Sequence, residues 1–496
     1  MKKDYALLFA LVALCCIFCS AQTRNPGLDV SRTNIWRFGF ASIPGGANDV
    51  PGLDFSSGSP VVINSGSQSL LSGATTISDG TGQLQLYGGY QSMYDRTDNL
   101  LSNAGVVGDS GWIGISPCNI AIPMPNSPNI IYYFSAQVTL KYTVVDMNLN
   151  NGKGQAILRN VELEQYPVES KLAAVHHCNG SDVWIVGHRW QTNTFYAYLL
   201  TDTGIANIRV VSSVGPVYNT TGGWQGGKLK FSPNGNKLVF CAFGDEPNTV
   251  PYLFDFDKST GIISNPIALQ PDEGAGGACF SPDCSKLYIS TGEGYILQYD
   301  LNAGNTAAIV ASRKQVFYVF NSISTTQLGL DGKIYVLPAG NPHRKYLTVI
   351  NYPNLLDTLC NVQLNAIYLN GGQGTGRHLM NTIESYFYTG SSAYPCYGDT
   401  VTNVSAINGK GDIALSVYPN PFSDYTFIEV RGIDVREKIE YQLCDIAGRV
   451  CDAQITESDW WDGKRLIFHR ARLPSGIYLL TLKTLNQSRT IKLSVL

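Results

Sequence analysis

Strand-length apolar runs fill residues 34 to 388, and Pro-Asx, Asp-Gly or Asn-Gly punctuates them. Such punctuation favours tight turns, so the pattern predicts many short strands and little helix. The clearest pair of units is Lys230-Phe-Ser-Pro-Asn-Gly-Asn-Lys-Leu-Val-Phe240 and Cys279-Phe-Ser-Pro-Asp-Cys-Ser-Lys-Leu-Tyr-Ile289. Each reads as strand, turn, strand. The proline presets φ, and Asn234 or Asp283 bonds back to the backbone. Comparable turns lie at Asp79, Asn126, Asn179 and Asp331, so six turns recur 47 to 55 residues apart. A further strand follows each turn and ends at Asp95, Asp146, Thr201, Asp257, Asp300 or Asn351. Three or four short strands every ~50 residues predict the blades of a β-propeller.

The two ends of this region supply one more unit. Asn34-Ile-Trp-Arg-Phe-Gly39, Gly52-Leu-Asp-Phe55 and Pro60-Val-Val-Ile63 read as outer strands that lack an inner one. Thr382-Ile-Glu-Ser-Tyr-Phe-Tyr388 reads as an inner strand without a sheet. Joining them would close a ring and protect both edges. The expected fold is therefore all-β: a seven-bladed β-propeller followed by a small C-terminal β-sandwich. Six or eight blades, a stacked solenoid and a long sandwich are the alternatives.

The sandwich is expected over 414–496. Alternating runs there are separated by Pro-Asn-Pro, Ala-Gly and Pro-Ser-Gly turns. The start of the chain reads as a secretory signal at 1–21: Lys2 and Lys3, an apolar run from Ala6 to Cys19, then Ser20-Ala21. That run is shorter than the ~20 residues of a membrane-spanning helix. A lipoprotein signal is the rival, but Cys15, Cys16 and Cys19 follow Leu14, Cys15 and Phe18, where a small residue is expected. The resulting division is signal 1–21, body 22–400, linker 401–413 and C-terminal domain 414–496, with no transmembrane span.

Export permits disulfides. Twelve cysteines less the three in the signal leave an odd nine. Cys444 and Cys451 flank a turn and are expected to face each other. Cys360 and Cys396 are placed to tie the end of the body together. Cys178, Cys241 and Cys279 read as small apolar strand residues. Composition narrows the class further. With 35 basic against 38 acidic residues, the chain lacks the basic footprint of a nucleic-acid binder. Its 11% aromatic content is too rich for disorder.

Val417-Tyr-Pro-Asn-Pro-Phe422, Asp445-Ile-Ala-Gly-Arg449 and Leu473-Pro-Ser-Gly-Ile-Tyr-Leu-Leu480, in that order, closely resemble the type A C-terminal sorting domain of the type IX secretion system of Bacteroidota. The resemblance covers 414–496. It implies passage through the periplasm to the outer cell surface or the medium, with the secretion machinery as partner. The matching positions are Tyr418, Pro419, Asn420, Pro421, Phe422, Gly448, Arg449, Gly476, Tyr478 and Lys492. A Trp460-Trp461-Asp-Gly insertion departs from the pattern by lengthening the middle loop. The body, over about 34–388, resembles the β-propeller region of secreted gliding-motility-associated proteins of the same phylum. NIWRFG, GLDF, TISDGTGQL, LAAVHHCNGSDVWIVGH, KFSPNGNKL and TIESYF carry that likeness.

Candidate chemistry is sparse. Gly108-Asp-Ser-Gly-Trp112 and Ala173-Ala-Val-His-His-Cys178 resemble trypsin-like signatures, but Trp112 replaces a required glycine and the chain order is reversed. No GxSxG, HExxH, phosphate loop or dinucleotide fingerprint occurs. His177 and His188, eleven apart with Asp182 between, could converge near a propeller face or simply hold turn backbone. The scattered carboxylates Asp255, Asp257, Asp283, Asp300 and Asp331 read as turn formers. Trp190 and Trp224 stand beside flexible backbone, which suits a sugar or a protein partner. The candidate binding set is thus His177, Asp182, His188, Trp190 and Trp224, with no catalytic residue, cofactor or metal assigned. The expected function is recognition or adhesion toward a glycan or surface protein. A polysaccharide hydrolase or lyase at the propeller mouth, or an envelope scaffold, is the alternative.

Overall fold

In a computed structural model the chain divides into two compact units, Met1–Pro395 and Cys396–Leu496. The structure describes residues 29–38, 50–65, 70, 74–89, 91–108, 119–218, 226–243, 250–269, 274–318, 324–338, 343–370, 379–388, 414–418, 420, 422–431, 438–445, 449–460, 463–484 and 488–495. The signal at 1–21 and the linker at 401–413 lie outside the described residues. The fold is all-β and propeller-like. The α-helix found among the described residues, α1 (Thr306–Ala311), is capped by the Asn305 side chain, which accepts from the Ala308 N–H. No helix among the described residues is long and apolar enough to cross a membrane.

Among its described residues the first unit holds seven antiparallel sheets, each a meander of consecutive strands. Sheet I is β1 (Ile35–Arg37), β2 (Val50–Asp54) and β3 (Val61–Ser65); sheet II is β4 (Thr75–Ser78), β5 (Leu84–Gly88) and β6 (Met93–Asp95). Sheet III is β7 (Asn119–Met124), β8 (Ser127–Ala136), β9 (Leu140–Asp146) and β10 (Gln155–Glu164). Sheet IV is β11 (Val168–His176), β12 (Val183–Arg189), β13 (Thr194–Thr201) and β14 (Gly204–Ser213). Sheet V is β15 (Gly226–Phe231), β16 (Lys237–Phe243), β17 (Tyr252–Phe256) and β18 (Ile263–Ala268). Sheet VI is β19 (Ala275–Phe280), β20 (Lys286–Thr291), β21 (Tyr295–Asp300) and β22 (Lys314–Tyr318). Sheet VII is β23 (Ser324–Leu328), β24 (Ile334–Pro338), β25 (Tyr346–Ile350) and β26 (Val362–Tyr368).

The first strands β4, β7, β11, β15, β19 and β23 are neighbours in that order, and β1 lies beside β4. Sheet I also packs on sheet VII. The Trp36 ring centroid is 4.8 Å from Phe55 and 5.6 Å from Tyr335, in one core with Leu328, Val336 and Leu347. The larger apolar cores lie between adjacent sheets, as with Val175, Phe195, Phe231 and Phe240 between IV and V. The predicted turn residues join first to second strands through side-chain bonds. Asn234 Oδ1 accepts from the Ser232 hydroxyl at 2.7 Å and the Asn236 N–H at 3.0 Å. Asp283 Oδ1 does the same for Ser281 at 2.7 Å and Ser285 at 2.9 Å. Asp95, Asp146, Asp257 and Asp300 likewise accept backbone N–H groups two residues on, just after the third strands.

The expected closing strand is different. Residues 382–388 form no ladder with β1; Glu384–Phe387 is a 3₁₀ turn. The segment runs parallel to β4 and β11 through bridges Thr75↔Asn381 and Ala174↔Ile383. Asn381 Nδ2 donates to the carbonyls of Asn119 and Leu172 at 3.1 and 3.0 Å. All residues from Leu379 to Phe387 are at most 5% exposed, so the segment fills the axis. The physical reason is partner supply. A ladder with β1 satisfies backbone alone, whereas the first strands also satisfy the side chains of Asn381, Glu384 and Ser385. The first and last sheets meet through side chains rather than a shared ladder.

The second unit contains β27 (Ala414–Tyr418), β28 (Tyr425–Arg431), β29 (Glu440–Asp445), β30 (Val450–Cys451), β31 (Gln454–Trp460), β32 (Gly463–His469), β33 (Gly476–Lys483) and β34 (Ser488–Val495). They form two sheets, β27-β28-β32-β31 and β30-β29-β33-β34. Ile428, Leu466 and Phe468 of one share a core with Leu443, Leu480 and Leu493 of the other. The last pair of the β31–β32 hairpin is Trp460↔Gly463, and Trp461 and Asp462 of the insertion lie outside the described residues.

Three cysteine expectations need correction. Cys444 and Cys451 are free. Register pairs Leu443 with Cys451 and Cys444 with Val450, so the two thiols project from opposite faces. Cys360 is also free, so it makes no tie to Cys396, which lies outside the described residues. Cys178 follows β11 in a turn and is disulfide-bonded. Cys241 and Cys279 are free and buried within strands.

Candidate functional site

The four described residues of the candidate set, His177, Asp182, His188 and Trp190, do not converge. His177 and Asp182 close the turn between β11 and β12. The His177 N–H donates to the Asp182 carbonyl at 2.7 Å, and His177 Nδ1 accepts from the Asn179 N–H at 3.0 Å. Asp182 Oδ2 accepts from Asn179 Nδ2 at 2.9 Å. His188 and Trp190 lie at the other end of β12. At ~3.3 Å per residue a strand of this length holds the two histidines far apart. Trp224 lies outside the described residues.

His188 is fully buried among Phe195, Phe240 and Tyr218, with ring centroids at 4.6, 4.8 and 5.6 Å. Its Nδ1 is 3.5 Å from Glu169 Oε1, at the outer limit of a hydrogen bond. Trp190 is half-buried, and its backbone N–H donates to the Pro167 carbonyl. Beside it the Arg189 guanidinium sits 3.8 Å from the ring centre of Tyr166, a residue 48% exposed.

The axis gathers a second set of polar residues. Glu169 and Lys171 on β11 form a fully buried ion pair. Lys230 on β15 reaches Glu384 Oε1 of the axial segment at 2.6 Å and Gln327 Oε1 on β23 at 2.6 Å. His176 Nδ1 lies 2.7 Å from Ser385 Oγ, which also accepts the His176 N–H at 3.0 Å. A sequence signal for this set exists. Lys228 and Lys230 alternate with Leu229 and Phe231 in a strand that must be innermost. Among the described residues no three His, Cys, Asp or Glu are grouped to hold a metal.

These burials set a pH dependence. Burial would raise the Glu169 carboxyl, but Lys171 and then His188 outweigh it and hold it at about 2. Burial pushes His176 down to about 4. His176 takes up a proton in the unfolded chain first, so its stability contribution is full above pH ~6.5 and is lost toward pH 4. The Glu169 contribution is full above pH ~4.5 and is lost toward pH 2. Each amounts to about 3 kcal/mol. Urea unfolding at a series of pH values should show both declines, with His176→Asn flattening the upper window and Glu169→Gln the lower. A pH-independent midpoint from 7 to 3 would contradict the assignment.

In the second unit, Asn420 latches the chain start to β34. Its Oδ1 accepts the Ser494 N–H at 2.6 Å, and its Nδ2 donates to the Lys492 carbonyl at 2.8 Å. Phe422 continues this contact by a parallel bridge to Val495 and packs its ring 5.8 Å from Phe468. The Tyr478 hydroxyl donates to the Pro474 carbonyl at 2.8 Å. Arg449 Nε meets Asp445 Oδ2 at 2.7 Å, holding the ends of the Asp-Ile-Ala-Gly-Arg turn. Gly476 opens β33, and the Lys492 side chain is exposed on β34. For Tyr418 the described part is its backbone in β27; Pro419, Pro421 and Gly448 lie outside the described residues.

No curated protein matches the sequence. Among solved structures, similarity extends to a candidate 6-phosphogluconolactonase of Bacteroides fragilis NCTC 9343, 12% identical, covering 68% of this chain and 96% of that one, TM-score 0.40. A candidate 6-phosphogluconolactonase of Bacteroides uniformis ATCC 8492 is 14% identical over 68% and 97%, TM-score 0.38. Hsv2 of Kluyveromyces lactis is 9% identical over 68% and 95%, TM-score 0.37. At these TM-scores none of them bears on activity. Residues 416–496 match the family of secretion system C-terminal sorting domains. The second unit therefore carries a type IX secretion sorting domain, and the protein is delivered to the cell surface or the extracellular space.

Proposed function

We propose that this chain is an extracellular recognition protein of a Bacteroidota species: a seven-bladed β-propeller body that binds a glycan or surface protein, exported by a C-terminal β-sandwich. The seven meander sheets and their cycle of neighbours support the propeller. The two sheets around one apolar core support the sandwich. The observation that carries recognition is the contrast between buried and exposed polar groups. In the interior, Glu169 and Glu384 are each buried against a lysine. On the surface just ahead of β11, the exposed Tyr166 ring carries the Arg189 guanidinium, with Trp190 next along the chain. Stacked ring and cation form a flat, amphipathic surface suited to a sugar face or a protein side chain. A hydrolase would instead keep an acid and a base open to substrate.

The full-length mature protein on a glycan and polysaccharide array, scored for retention and for product release, tests this. Saturable retention without product is expected, and Tyr166→Ala or Trp190→Ala should weaken it at least about tenfold, about 1.4 kcal/mol. Product release would favour the hydrolase reading. A scaffold role is the second reading, favoured by Tyr352, Leu355, Leu356 and Leu359, which are 57, 47, 47 and 68% exposed within eight residues. Under that reading the array stays silent and these positions govern assembly.

A further inference from the structure

The axial group of Lys230, Gln327 and Glu384 has a counterpart two residues earlier on each element: Lys228, Thr325 and Thr382. The turns after β15 and β19 touch, with the Asn234 N–H donating to Cys284 Sγ, and Gly332 after β23 lies against Pro282. The first strands β15, β19 and β23 therefore run the same way. The axial segment runs parallel to first strands through its bridges to β4 and β11. In extended backbone, residues two apart share a face. Lys228, Thr325 and Thr382 thus lie together, about 7 Å along the axis from the first group. Between β15 and β23, strand β19 offers only Ala275, Gly276, Gly277 and Ala278 at this level. One level along, Lys230 reaches past β19 to Gln327.

Each of the three is 1% exposed, and Lys228 Nζ, Thr325 Oγ1 and Thr382 Oγ1 make no hydrogen bond. Charge points the same way. Lys171 is held by Glu169 and Lys230 by Glu384, so the remaining positive charge is that of Lys228. The other titratable groups around it, Cys241 opposite in register and Cys279, are thiols that burial pushes up to about 12, hence neutral. One ammonium and two hydroxyls, buried together, form a set of donors awaiting an acceptor with negative charge. We infer that Lys228, Thr325 and Thr382 bind one compact monoanion on the propeller axis, a halide or a carboxylate of formate size. The site is independent of whatever the surface around Tyr166 and Arg189 recognises. Burial and the neighbouring Lys230 push Lys228 down to about 7, so binding weakens as pH rises above that value.

The test follows thermal melting of the full-length mature protein at pH 6.5 and constant ionic strength. Chloride or formate replaces gluconate, which is too bulky for the site. A saturable rise in melting temperature is expected with chloride, and with formate if the site accepts carboxylates. Lys228→Met should abolish the response, and Thr325→Val should weaken the apparent affinity about tenfold. A crystal grown in bromide should show an anomalous peak within hydrogen-bonding distance of Lys228 Nζ. Identical melting in all three salts, a full response in Lys228→Met, or bromide sites found only elsewhere would each overturn the inference. Should Lys228→Met fail to fold, Thr325→Val and the bromide crystal decide it.

Discussion

A chain truncated before residue 414 is expected to accumulate in the periplasm, with none at the cell surface or in the medium when fractions are immunoblotted. The body and the sorting unit have separate cores, so the truncation removes no strand from the seven described sheets of the body. A folded body stranded in the periplasm would separate loss of address from loss of structure. Protease resistance of the retained protein makes that distinction. Within the sorting unit the motif residues divide by role. Phe422 and Tyr478 are buried and Asn420 spends both polar atoms on β34, so these positions shape the fold. Arg449 and Lys492 keep exposed side chains, which leaves them available to the machinery. Asn420→Ala should therefore lower export by destabilising the domain by about 1–3 kcal/mol. Arg449→Ala should lower export while costing less than about 1 kcal/mol of stability, because its pair with Asp445 is largely exposed on the arginine side. Normal surface delivery of the truncated chain would refute the address itself.

The parts of this architecture legible in sequence are those decided locally. Asn234 and Asp283 make their turns with atoms two residues away, so their spacing announces strand after strand. The unread parts depend on distant partners. Nothing in Thr382-Ile-Glu-Ser-Tyr-Phe-Tyr388 shows that Glu384 will meet Lys230, more than 150 residues earlier, rather than continue a strand. His177 and His188 look like a converging pair until the length of β12 separates them. Cys444 and Cys451 look like facing partners until register offsets them by one residue. The buried lysines of β15 carry a signal of the opposite kind. A charged residue at alternating positions of a predicted inner strand must be paired, liganded or neutral, which marks the interior there as polar.

Glu384→Ala should be strongly damaging to the body, costing about 3–5 kcal/mol in urea unfolding. The change leaves the Lys230 ammonium buried with Gln327 as its remaining polar contact among the described residues, and a buried charge without its counterion is expensive. It also removes the contact that ties the axial segment to β15, while Asn381 and Ser385 still hold β4, β7 and β11. Asp255→Ala is the matched control. Its pair with Lys237 is about one-third exposed on each side, so the cost should stay below about 1 kcal/mol. Replacing both axial partners, with Lys230→Met and Glu384→Leu, should recover most of the loss, because the double change removes both charges and leaves an apolar fill of similar volume. Recovery would locate the damage in an orphaned charge rather than in lost anchoring. If Glu384→Ala cost no more than Asp255→Ala, the axial segment would be a passive filling, and closure would rest on Trp36, Phe55 and Tyr335 between the first and last sheets.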